Sequence, residues 1–179
     1  MKPEVVAAYR KAGKIAKQAR EYGKSLCVEG ALALDIAEKI EAKIRELGGE
    51  LAFPCDVSIN DVAAHYSPIV GDKLKLKKGD LVKLDLGAHV DGYIADTAVT
   101  VEVGTDERQD LIKASEEALK NAIAIIKPGV SLGEIGKVIE ETITKYGFRP
   151  VKNLSGHGLE RYNIHSEPVS YTHLTLPTN

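Results

Sequence analysis

Cys27 and Cys55 are the only 2 cysteines in 179 residues and form no CxxC pair, too few for a disulfide scaffold or a Cys-rich zinc site. A block of basic charge is missing too. The 24 basic and 26 acidic residues leave a formal charge of -2 spread along the chain, which gives no nucleic-acid footprint and favours a small or peptidic partner. Long apolar runs are absent: the longest purely aliphatic stretch is Ala122–Ile126, far short of the roughly 20 residues a bilayer requires. The N-terminal MKPEVVAAYRKAGKIAKQAR is charged and amphipathic, without the apolar core of a signal peptide. The expectation is a cytoplasmic protein without membrane or nucleic-acid partners. At 44% hydrophobic residues, the chain can bury the core of one domain or a large piece of one.

Apolar residues recur at helical spacing from about Val5 to Tyr22 (Ala8, Ala12, Ile15, Ala16, Ala19) and again over Leu34–Leu47 (Ile36, Ile40, Ile44, Leu47). The second of these helices has a counterpart. GALALDIAEKIEAKIRELG from Gly30 and GVSLGEIGKVIEETITKYG from Gly129 align at a constant offset of 99. The register sets Gly30 on Gly129, Gly48 on Gly147, and Ile36, Ile40 and Ile44 on Ile135, Ile139 and Ile143. Ser131 and Glu134 add a capping box to the second copy, and the same offset brings the first helix onto an apolar-periodic stretch at about Asp110–Lys127. Chance likeness between amphipathic helices competes with duplication as the source of this match. Between the helix pairs, Leu81–Ala88 and Tyr93–Val103 flank Asp91-Gly92 and predict a hairpin. A duplication places the matching second hairpin from about residue 184, beyond Asn179.

A two-residue turn at Asp91-Gly92 makes Asp85 and Asp96 diagonal neighbours on one face; a four-residue loop sets them directly opposite. Either register brings their Cβ atoms within roughly 4.5 to 8 Å, where like charges repel unless a cation lies between them. On the hairpin alone, two ordinary acids on a solvated face remain the competing reading. Asn153–His165 adds His157, flanked by Gly156 and Gly158, and His165 eight residues later. The flanking glycines permit close approach to a bound group, on a ligand-bearing strand or loop. Carboxylates and imidazoles without thiolate favour a first-row divalent metal and metal-assisted hydrolysis. Cys55 has no base paired with it in any motif and reads as a structural thiol; His89 and Cys27 receive no role.

The segment AFPCDVSINDVAAHYSP (residues 52–68) resembles the first signature of methionine aminopeptidases, with the HYSP ending of the type II enzymes. DLGAHVDGYIADTA and GHGLERYNIH also resemble type II motifs. The likeness runs from about Val5 to Pro168 and is of archaeal type. It implies an α+β pita-bread (creatinase/aminopeptidase-like) fold, a pseudo-two-fold duplication of helix-helix-hairpin halves with the second half incomplete. It implies two divalent ions (Co, Mn, Fe or Zn) held by Asp85, Asp96 and His157, with Asp96 bridging. It makes His65 and His165 the catalytic residues that contact substrate, and Phe53 and Ile164 part of the methionine pocket. The implied activity is removal of the initiator methionine from nascent polypeptides, close to the ribosome. Two glutamates that the family supplies further along, one of them a general base, have no counterpart before Pro168. Residues 169–179 read as a tail foreign to the family, so 1–168 is expected to be a partial domain with weak or absent activity and poor solubility. Two alternatives stand beside this reading: a Xaa-Pro aminopeptidase or prolidase, and a metal-free homologue acting as a binding protein.

Overall fold

The computed structural model describes residues 1–151 and 154–171, the side chains of 168–171 excepted. Its elements are α1 (Pro3–Leu26), α2 (Ala33–Glu46), β1 (Glu50–Ile59), β2 (Leu81–Val90), β3 (Tyr93–Glu102), α3 (Gln109–Ile125), α4 (Leu132–Lys145), β4 (Ser155–Glu160) and β5 (Asn163–Tyr171). They form two compact units: Met1–Glu107 with Leu159–Ile164, and Arg108–Gly158 with the residues from His165 on.

In the first unit β1, β2 and β3 make an antiparallel sheet with β2 in the centre. Its even-numbered β2 residues Val82, Leu84, Leu86 and Ala88 are fully buried, together with Val57 of β1. They meet Ile15, Ala16 and Ala19 of α1 and Ile36, Ile40 and Ile44 of α2 in one apolar cluster. The alanine stripe of α1 lets the helix lie close to its neighbours. Gly23 continues that stripe, and a Cβ there would fall 2.6 Å from Ile40 Cδ1 and 3.0 Å from Leu84 Cδ1. The other face of β2, the odd-numbered one that carries Asp85, is left to the candidate site.

The hairpin closes through the two-residue turn, with Val90 opposite Tyr93. Asp91 and Gly92 both take positive φ, 53° and 84°, as a tight turn of this hand requires. Sequence periodicity does not mark β1 as a strand. Its register on β2 shifts between Leu51 and Phe53 and again between Phe53 and Asp56, around Pro54, which cannot donate to a ladder and is tolerated on an edge strand. Beyond β1, Asn60 turns the chain at φ 52° and ties the strand ends together. Its amide donates to Asp80 Oδ1 and its Oδ1 accepts the Leu81 N–H, each at 2.9 Å.

In the second unit α3 packs on α4, Ile112, Ala114, Ala118 and Ala122 of α3 are buried, and Asn121 Nδ2 donates to Thr142 Oγ1 at 3.1 Å. Leu119, Ile123 and Ile126 are exposed. The expected capping box is present: Ser131 Oγ accepts the Glu134 N–H at 3.2 Å and the Glu134 carboxylate accepts the Ser131 N–H at 2.9 Å. Ser131→Ala is expected to lower stability by about 0.5–2 kcal/mol, measured by urea unfolding followed by far-UV circular dichroism. The paired glycines keep their register in backbone geometry. Gly30 and Gly129 have φ of 82° and 89°, and Gly48 and Gly147 have 80° and 81°, so each copy enters and leaves its helix through the same left-handed step.

His157 and His165 lie on strands, β4 and β5, which pair with each other across the two residues Arg161 and Tyr162. Of the expected foreign tail, residues 169–171 continue β5 and residues 172–179 lie outside the described residues, as do Asn153 and His173. Among the described residues no helix is long and apolar enough to cross a membrane.

Candidate active site

Asp85 lies opposite Ala98, and Asp96 opposite Gly87, so the two carboxylates are diagonal neighbours on the sheet face turned away from the α1/α2 core. The geometry gives them conflicting demands. Asp85 Oδ1 is buried without a hydrogen-bond partner. Burial, followed by the nearby charges of Asp96 and Asp56, pushes the Asp85 carboxyl up to about 6. A carboxylate with an unsatisfied oxygen among like charges is costly by itself and suits a bound cation. The pair therefore fits a hard or borderline divalent ion, for which carboxylate oxygens are ordinary ligands. Among the described residues, no group of three or more His, Cys, Asp or Glu side chains is gathered as a complete metal shell.

Sequence reasoning missed a third carboxylate. Asp56 pairs directly with Asp85 across β1 and β2, is only 6% exposed, and accepts a short hydrogen bond from Ser67 Oγ. Within the residue 52–68 signature it looks like one acid among several. Only the irregular register of β1 brings it level with Asp85, and no periodicity forecasts a bulge around Pro54. The loop after β1 doubles back here. Val57 N–H donates to Tyr66 O at 2.8 Å and Tyr66 N–H to Ser58 Oγ at 3.3 Å. His65, immediately before, takes φ 65° and sets Nδ1 3.9 Å from Asp56 Oδ2, with 72% of its side chain open to solvent. A non-glycine residue in the left-handed region is uncommon, and here it presents an imidazole beside the carboxylates.

Phe53 is opposite Gly87, the neighbour of Asp96 across the ladder. Its ring occupies the space that any side chain at 87 would need: a Cβ there would fall 2.3 Å from Phe53 Cε1 and 2.8 Å from Ala52 Cβ. Gly87→Ala is expected to displace the ring and to cost about 1–3 kcal/mol, read from the thermal midpoint of the variant. Cys55 is buried behind this face, and burial followed by the charge of Glu41 pushes its thiol far above the ordinary range. Cys27 is pushed up to about 12 by burial. Neither is a nucleophile at neutral pH.

In the second unit the rings of His157 and His165 meet edge to face, centroids 4.6 Å apart. His157 Nδ1 lies 3.2 Å from Gly158 O. Ile164 is half-buried. Thus Asp85, Asp96, His65 and Phe53 share the first unit, and His157 and His165 share the second, with Ile164 counted in the first.

A family model described as metallopeptidase family M24 matches residues 7–178. The methionine aminopeptidase of Thermococcus onnurineus is 56% identical over 156 residues, covering 87% of this chain and 52% of that protein. The chain thus spans about half the length of such curated relatives. Among solved structures, methionine aminopeptidase from Thermotoga maritima has a TM-score of 0.91 at 31% identity, covering 99% of this chain and 74% of that one. Prolidase from Pyrococcus furiosus has a TM-score of 0.85 at 28% identity, covering 96% of this chain and 52% of the other.

Proposed function

Because the chain belongs to metallopeptidase family M24, we propose that the protein it comes from hydrolytically releases methionine from the N-terminus of polypeptides, using two divalent ions. The observation that carries this reading is the Asp85–Asp96 pair, whose buried, partnerless Asp85 Oδ1 suits a cation. The 56% identity to a methionine aminopeptidase, against 28% to a prolidase, supports methionine over a Xaa-Pro substrate. Asp85 and Asp96 are assigned as metal ligands, and His157 joins them on the strength of its GHG motif. Cobalt, manganese, iron and zinc all accept such a donor set. When bound, the ions supply Lewis acidity and a water nucleophile available at neutral pH.

The remaining work falls to the chain's own groups. His65 has its Nδ1 toward Asp56 and an exposed ring edge, so it can donate to the scissile amide. His165 is assigned to the developing oxyanion, where a well-aimed donor is worth roughly 3–4 kcal/mol. Phe53, seated on Gly87, offers an apolar wall for a thioether side chain, and Ile164 is assigned to the same pocket. The substrate being nascent chains, action near the ribosome is part of the proposal. The test is a paired assay of the complete gene product with manganese or cobalt. Free methionine is expected from a Met-Ala-Ser peptide and none of the corresponding product from a Xaa-Pro dipeptide; the reverse pattern overturns the reading.

A further inference from the structure

Leu159–Ile164, the tip of the β4–β5 hairpin, belongs to the first compact unit, whereas the strand residues on either side of it belong to the second. The tip is held there by its own set of contacts with the tip of the β2–β3 hairpin. Tyr162 N–H donates to Gly92 O at 2.8 Å, and Arg161 Nε–H donates to Asp91 O at 2.8 Å. The Arg161 guanidinium stands 5.5 Å from the centre of the Tyr93 ring and 5.4 Å from that of Tyr162, within cation–π range of both. His89 meets the Tyr162 ring edge to face at 5.4 Å, while its Nδ1 accepts the Gly92 N–H at 3.3 Å.

The fit is specific at Gly92. A Cβ at that position would fall 2.5 Å from the Tyr162 ring, and its φ of 84° already disfavours any side chain. Tyr162 itself takes φ of 59°, a backbone cost that its residue type does not repay alone. His157 lies two residues before this tip segment and His165 directly after it.

We propose that Arg161 is a positioning residue: with Tyr162 it clasps Leu159–Ile164, and so the pocket residue Ile164, onto the tip of the hairpin bearing Asp85 and Asp96. What the clasp positions rests on the methionine-release reading; the clasp itself rests on the contacts above. Arg161 and Tyr162 are exposed, so replacing Arg161 leaves the buried core unchanged. In the complete gene product, Arg161→Ala is expected to speed amide hydrogen exchange across residues 159–164 roughly tenfold, through loss of one charged hydrogen bond and two ring contacts. It is also expected to raise KM for methionine release roughly tenfold at little changed kcat, since Ile164 is assigned to the methionine pocket. Arg161→Lys, which keeps the charge over the rings, is expected to recover part of both.

Unchanged exchange in Arg161→Ala overturns the proposal. So does faster exchange with KM left intact, because the contact would then be structural only. If the wild-type protein releases no methionine in any metal, the functional reading fails on its own. The exchange result then decides the clasp alone: acceleration upholds it and no change removes it.

Discussion

Asp85→Asn is expected to lower kcat/KM for methionine release by several kcal/mol, roughly a thousandfold or more, while making the metal-free protein more stable. The two effects share one cause. Asp85 Oδ1 is buried without a partner, and its carboxyl is pushed up to about 6 by burial and by Asp96 and Asp56. In the absence of a cation that arrangement opposes folding at neutral pH, where the carboxylate is charged. An amide of the same shape removes the charge repulsion, and the gain is about 1 kcal/mol once partial exposure is allowed for. Conversely, a divalent ion that binds only the folded protein raises its midpoint by mass action, and the variant is expected to lose that response. Thermal unfolding with and without manganese, run beside the activity assay, reads both halves. An Asp85→Asn protein that is less stable without metal, yet still stabilised by it, would show that the carboxylate serves the fold rather than an ion.

Ile40→Ala is the substitution expected to cost most in stability, about 2–5 kcal/mol. Ile40 is fully buried in α2, and its Cδ1 fills the space over Gly23 of α1 beside Leu84 of β2. Its truncation therefore opens a cavity where both helices meet the sheet. For a chain of this length the midpoint is expected to fall by roughly 5–15 °C. A loss below about 1 kcal/mol in chemical denaturation would mean that the helices do not share one core with β2.

The helices were legible because each buries one stripe, and a 3.6-residue period survives small errors at the ends. α1 extends to Pro3–Leu26 and α2 covers Ala33–Glu46, close to the stretches marked by Ala12–Ala19 and Ile36–Ile44. The closeness of Asp85 and Asp96 was legible too, but not their register: the sequence allowed a two-residue turn or a four-residue loop, and the two-residue turn makes them diagonal neighbours. β1 was not legible. Pro54 and two register shifts erase the alternation that identifies a strand, and with it went the pairing of Asp56 with Asp85. The β4–β5 hairpin escaped notice for a related reason: Arg161-Tyr162 is not a turn sequence, and Tyr162 adopts φ 59° in a setting that only a tertiary partner sustains. The roles of His157 and His165 came from motif likeness, because a lone histidine carries no periodic signal.

Metal-dependent catalysis by the carboxylate pair is tested most directly by methionine release from metal-stripped complete gene product, before and after addition of manganese or cobalt, in wild type and Asp96→Asn. Release is expected to be negligible without metal, restored on its addition, and not restored in the variant. Equal release by stripped and loaded protein, or full restoration in Asp96→Asn, would contradict that expectation.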